Sequence, residues 1–120
     1  MGDEELILGF VRGEADPDDL AALGITPAIG RDGSFHLSER SGLPVVEVTT
    51  ADVAHGLVRH AARGTYVRDW AQMLLATGTV DFSAVEDDPA FQVLLAALWD
   101  AAGGVKPSDE TLAIAESLAS

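Results

Sequence analysis

Apolar residues recur every three or four positions over most of this chain, and the pattern is interrupted between residues 25 and 48 by short β-branched runs. Leu6, Ile7, Phe10 and Val11 share one helical face, so a first helix is expected from about Asp3 to Arg12, with Gly13 as the left-handed residue that ends it. Asp16-Pro17-Asp18-Asp19 reads as a second helix start: an aspartate cap, proline at the first helical position and two acids at the positive end of the dipole. Leu20 and Leu23 face inward, and Gly24 stops the element.

Between the helical parts the period changes. Ile25 to Ile29 and Ser34 to Leu37 flank Gly30-Arg31-Asp32-Gly33, which predicts a β-hairpin, and Pro27 places its first strand at an edge. After a polar turn at Ser38 to Gly42, Leu43 to Val48 is β-branched and predicts a third strand.

Thr49 to Gly78 is the centre of the chain. Thr49 and Asp52 form a capping-box pattern, Val53, Leu57 and Ala61 make one apolar stripe with Val58 at its margin, and Arg59 and Arg63 lie away from it. Gly64 breaks this helix and Thr65 can cap the next, where Val67, Trp70, Ala71 and Leu74 repeat until Gly78. So short a joint predicts two antiparallel helices packed on each other, with Trp70 in the core.

Ser83 with Glu86 reads as a further capping box, and Asp88-Pro89 repeats the earlier Asp-Pro start. Phe91, Leu94, Leu95, Leu98 and Ala102 follow as an apolar stripe with Trp99 at its edge, closed by Gly103-Gly104. Ser108 caps a last helix whose Leu112, Ala115, Leu118 and Ala119 face inward. The expected architecture is α+β: a mostly helical single domain over 1–120, with helices in 1–24, a small antiparallel sheet in 25–48, the helix pair in 49–78 and acidic helices in 79–120.

Charge narrows the function. Twenty Asp and Glu stand against seven Lys and Arg, a net −13, so nucleic acid and anionic membrane are disfavoured as partners. The imbalance sits at the two ends: residues 1–20 carry net −6 and residues 81–120 net −7, whereas 51–80 are near neutral. The chain has no cysteine, which excludes disulfides, thiol nucleophiles and thiolate metal sites. Its N-terminal apolar run is short and flanked by acids, unlike a secretory signal, and no window has the roughly 18 apolar residues of a membrane helix, so a cytoplasmic protein is expected.

Candidate chemistry is sparse. His55 and His60 are five positions apart, about 140° around a helix, and do not converge as metal ligands do; His36 stands alone beside Phe35. No nucleophile elbow, phosphate loop or dinucleotide fingerprint occurs, and the acids at Asp16 to Asp19 and Glu86 to Asp88 do not follow the oxygen-ligand spacing of a calcium loop. No catalytic residue, metal or cofactor is therefore assigned. The helix-Gly64-helix unit lacks a small residue four positions before its glycine, where His60 stands, and its second helix has no basic face, so it does not read as a DNA-binding helix-turn-helix.

One resemblance adds to this. Arg63-Gly64, then Asp69-Trp70-Ala71 and Leu74, then Asp81-Phe82, an acidic stretch and Leu94-Leu95-Ala96-Ala97-Leu98 resemble small bacterial toxin-immunity proteins of the colicin and contact-dependent-inhibition type, over residues 52–100. Tyr66-Val67-Arg68 stands where that pattern usually has an acid. The resemblance implies a non-enzymatic domain that binds and masks a cognate toxin. Charge agrees, because enzymes acting on polyanions have basic sites to which carboxylates are steered. The expected contact residues are Asp16, Asp18 and Asp19, or Glu86, Asp87 and Asp88, with Trp99 as an anchor if exposed. A small accessory or regulatory subunit docking through an apolar helical face is the alternative.

Overall fold

The computed structural model describes residues 2–29, 31–33, 35–63 and 67–119. Helix α1 (Asp3–Val11) begins with three acids in its first turn and buries Ile7, Phe10 and Val11. Gly13 follows at φ 78°, and a Cβ there would also sit 2.8 Å from that of Arg59, so both conformation and space select glycine. The second helix expected from Asp16-Pro17 is a 3-10 helix, Pro17–Leu23, rather than an α-helix. Its Asp16 amide donates to Asp19 Oδ2 at 2.8 Å, and the Gly24 amide donates to Ala21 O, three residues back, at 3.0 Å and also reaches Leu20 O. Seven residues, from the proline up to the stop glycine, leave little length over which α-helical hydrogen bonds can accumulate.

Strands β1 (Ile25–Ile29) and β2 (Phe35–Glu39) form the antiparallel hairpin, with Ile25 opposite Glu39 and Ile29 opposite Phe35. Here β2 extends to Glu39, through the polar turn expected from Ser38. The cause is tertiary: the Glu39 carboxylate accepts from Thr77 Oγ1 at 2.6 Å and from the Gly78 amide at 2.9 Å, while the Arg40 amide donates to Gly24 O at 3.1 Å. Gly30 and Ser34, which the sequence places in and beside the hairpin loop, lie outside the described residues. Replacing Glu39 by alanine removes both acceptors and is expected to cost about 1–3 kcal/mol, with Glu39→Gln costing less because an amide oxygen can still accept. Urea midpoints compare the two; an unchanged midpoint for the alanine variant would show that the hairpin is held elsewhere.

The third strand is shorter than expected and has a different neighbour. Only Val46–Glu47 (β3) is extended, and it pairs in parallel with β4 (Val80–Asp81), forming a second two-stranded sheet instead of joining the hairpin. The Val46 amide donates to Thr79 O at 2.8 Å and the Val48 amide to Asp81 O at 3.3 Å, so residues from beyond the helix pair supply its partners.

Helix α2 (Thr50–Arg63) starts on the predicted capping box: the Thr49 amide donates to Asp52 Oδ2 at 3.0 Å and the Asp52 amide to Thr49 Oγ1 at 3.1 Å. Val53, Ala54, Leu57 and His60 are buried. The break expected at Gly64 and the cap at Thr65 lie outside the described residues. Helix α3 (Val67–Ala76) buries Val67, Trp70, Ala71, Met73 and Leu74. Trp70 has no exposed surface; its Nε1 donates to Phe10 O at 2.9 Å and its ring stacks on His60 with centroids 4.9 Å apart. This indole therefore ties α1, α2 and α3 together.

Helices α4 (Pro89–Ala102) and α5 (Asp109–Ala119) complete the domain. Although α2 and α3 touch, α2 packs chiefly on α5 and α3 chiefly on α4, so the acidic helices cover the central pair more extensively than its two members cover each other. The Ser83–Glu86 capping box is not formed. Residues 83–87 are turns, the Ser83 amide donates to Asp81 Oδ1 at 2.8 Å, and the helix starts instead at Asp88, whose Oδ1 accepts from the Ala90 amide at 3.0 Å. Ser108 caps α5 by accepting from the Thr111 amide at 3.1 Å, and Ala115 is that helix's fully buried residue.

Candidate protein-binding surface

The arginines decide which acids remain available to a partner. Arg59 Nη1 donates to Arg12 O at 3.0 Å and lies 3.2 Å from Glu14 Oε1; Arg63 Nη1 is 2.8 Å from Asp16 Oδ1 and its Nη2 donates to Gly13 O at 3.0 Å. Together they clamp the segment after α1 onto α2. Arg12 pairs with Asp52 at 3.6 Å and Arg40 with Asp3 at 3.1 Å. Exposed pairs of this kind are worth about 0–1 kcal/mol each, so their effect on the electrostatic field matters more here than their stability. Among the described residues none of the eight acids in residues 81–120 pairs with Lys or Arg, which leaves that part of the surface uncompensated.

The six acids singled out by the sequence fall into different environments. Asp16 is bound to Arg63, and Asp19 accepts from the Asp16 amide. Asp88 is half-buried and shared between the Ala90 amide and the Thr50 hydroxyl, the latter at 2.7 Å. Asp18, Glu86 and Asp87 have exposed side chains. Trp99 is 62% exposed, which meets the condition set for an anchor. At 1.5 Å per residue, Trp99 lies about 16 Å along α4 from the Asp88 end, so Trp99 and the Glu86 to Asp88 cluster occupy opposite ends of one helix.

Two hollows adjoin Trp99 and Asp18. One, of about 420 Å³, is walled by Leu75, Ala76, Trp99, Ala102 and Gly103. The other, of about 290 Å³, lies between the 3-10 helix, β1 and α3, with Pro17, Ala21 and Met73 as apolar lining and Asp18 and Asp69 as carboxylates. Gln72 lines both, and its Nε2 donates to Ala102 O at 2.9 Å, holding α3 to the end of α4. The two hollows thus adjoin across the outer face of α3. The sequence named Asp69 only within the resemblance motif, not as a contact residue, and did not single out Gln72 and Ala76. Their i, i+3, i+7 spacing marks the solvent side of an amphipathic helix, but nothing local shows that neighbouring segments wall that side.

Among the described residues, His60 is the buried titratable group. It has no exposed surface, and among the described residues neither ring nitrogen has a hydrogen-bond partner. Burial, reinforced by the Arg63 guanidinium and opposed by Asp16, lowers it from 6.5 to about 4, so the ring is neutral at pH 7. Among the described residues no three His, Asp or Glu side chains are grouped to hold a metal ion, and no helix is long and apolar enough to cross a membrane. The chain matches no protein-family model, no curated protein and no solved structure.

Proposed function

We propose that this chain is a non-enzymatic, protein-binding domain of the toxin-immunity kind, which recognises a basic partner and masks its polyanion-binding site. The observation that carries this reading is the partition of charge: four arginines are spent on internal pairs with Asp3, Glu14, Asp16 and Asp52, while among the described residues the acids of residues 81–120 have no Lys or Arg partner, on a surface that also exposes Trp99. Such a surface accelerates encounter with a cationic protein and opposes encounter with nucleic acid.

Reversing Glu86 and Asp87 to lysine tests the electrostatics without touching Asp16 or Asp88, whose bonds are internal. In a toxicity-rescue assay against basic candidate toxins, the double variant is expected to lose the protection the parent gives, and its association rate to fall about tenfold at low salt. The difference should vanish near 1 M salt, where the Debye length is about 3 Å. Unchanged rescue and an unchanged, salt-insensitive rate would overturn the reading. That result would favour an accessory subunit docking through apolar groups, for which exposed Val93, Trp99 and Val105 are the specific observation.

A further inference from the structure

From the paired hollows across α3 we infer a docking groove for a basic amphipathic segment, one that presents an apolar side chain and a lysine or arginine on the same face. The inference rests on the reading of this chain as a binder of a basic protein, and it names where and how that protein is held. The hollow under Trp99 is mostly apolar, with Leu75, Ala76 and Ala102 among its walls, and it takes the apolar side chain. Its neighbour combines an apolar floor of Pro17, Ala21 and Met73 with the carboxylates of Asp18 and Asp69, and among the described residues no lysine or arginine lines either hollow. That pairing of apolar floor and acidic rim suits a long cationic side chain, whose methylene stem lies on the floor while its head reaches the acids.

Charge chooses among the occupants. A second copy of a chain with net charge −13 would bring Asp18 and Asp69 against more acid, and a polyanion would meet the same carboxylates. A cationic segment neutralises them. Gln72 sits at the junction of the hollows, so both side chains of the segment come from neighbouring positions on one helical face. Exposed tryptophan at the rim of an apolar hollow is also the residue type that most often dominates a binding interface.

The test uses the full chain and a short synthetic amphipathic helix of lysine and leucine, with a glutamate and leucine peptide as control, titrated by calorimetry at about 0.15 M salt, where the Debye length is about 8 Å. Trp99→Ala and the double variant Asp18→Asn, Asp69→Asn are each expected to weaken the lysine peptide about tenfold or more, while Glu86→Gln, Asp87→Gln stays within about twofold. All of these side chains are exposed, and thermal melts confirm that each variant folds. Equal binding of the two peptides, loss only in the Glu86, Asp87 variant, or a parent dimer that Trp99→Ala dissociates would each overturn the groove. If the groove variants bind normally while charge reversal still abolishes toxin rescue, the groove fails and the immunity reading stands; groove-dependent binding without charge-dependent rescue gives the converse.

Discussion

Gly56→Ala is expected to destabilise the protein by about 3 kcal/mol or more, at or beyond the upper end of what overpacking a core usually costs. A Cβ at this position would run into the Val11 carbonyl oxygen and lie 2.5 Å from Trp70 Cζ2. Neither obstacle can yield cheaply. The carbonyl belongs to the end of α1, and the indole is held by its bond to Phe10 O and by the stack on His60. Against this stands the intrinsic preference of a helix interior for alanine over glycine, about 1 kcal/mol in the opposite direction. The clash is the larger effect, so the urea midpoint should fall. A midpoint that holds or rises would mean that α1 and α2 cross less closely than the structure has them. A domain of this size has about 5–15 kcal/mol in all, which makes one methyl group here a sizeable fraction of its stability.

Acidification is expected to weaken the fold between about pH 6.5 and pH 4 through His60. The folded protein keeps this ring neutral down to about pH 4, whereas the unfolded chain protonates it near 6.5. Between those values the unfolded state binds the extra proton, so the stability present above 6.5 is lost as the pH falls, at about 1.4 kcal/mol per unit and about 3 kcal/mol in total. Below the folded value this contribution levels off. Asp81, held below the usual carboxylate range by the Ser83 hydroxyl and amide, acts in the same direction but at lower pH. Urea melts across this range, run in parallel on His60→Phe, isolate the histidine: the variant keeps a ring against Trp70 without titrating and should lose the slope above pH 4. It also removes two buried nitrogens that lack partners among the described residues, so its stability at pH 7 is expected to match or exceed the parent's. An equally steep slope in His60→Phe would transfer the effect to other groups.

These two positions show where reading the chain stops. Gly56 carries no signal in a helix whose breaks were expected at other glycines; its necessity arises because residues forty-five and fourteen positions away in sequence, Val11 and Trp70, close on the same point. His60 was legible as a residue that does not converge with His55 and that stands where a helix-turn-helix needs a small residue, not as a core residue. That it lies in the core follows from its stacking on a tryptophan of the next helix. Trp70, by contrast, was expected in the core from its place in the apolar repeat of α3, and it is fully buried there. The candidate surface divides in the same way. Asp18 and Trp99 were named from the sequence, but Asp69 and Gln72 became part of a groove only when α4 and the 3-10 helix walled α3.

Local chemistry by itself determined the α+β class, the first and last turns of most helices, the hairpin and the inward faces, because caps, stop glycines and apolar spacing act within a few residues of where they are read. It also determined that the ends are acidic and the middle near neutral. Tertiary structure decided the rest: that β3 joins β4 rather than the hairpin, that β2 runs on to Glu39, and that α4 and α5 lie over the central helices. It also decided which acids the arginines neutralise. Those outcomes depend on hydrogen-bond and ion-pair partners dozens of residues apart, and no short-range pattern records which distant group will arrive.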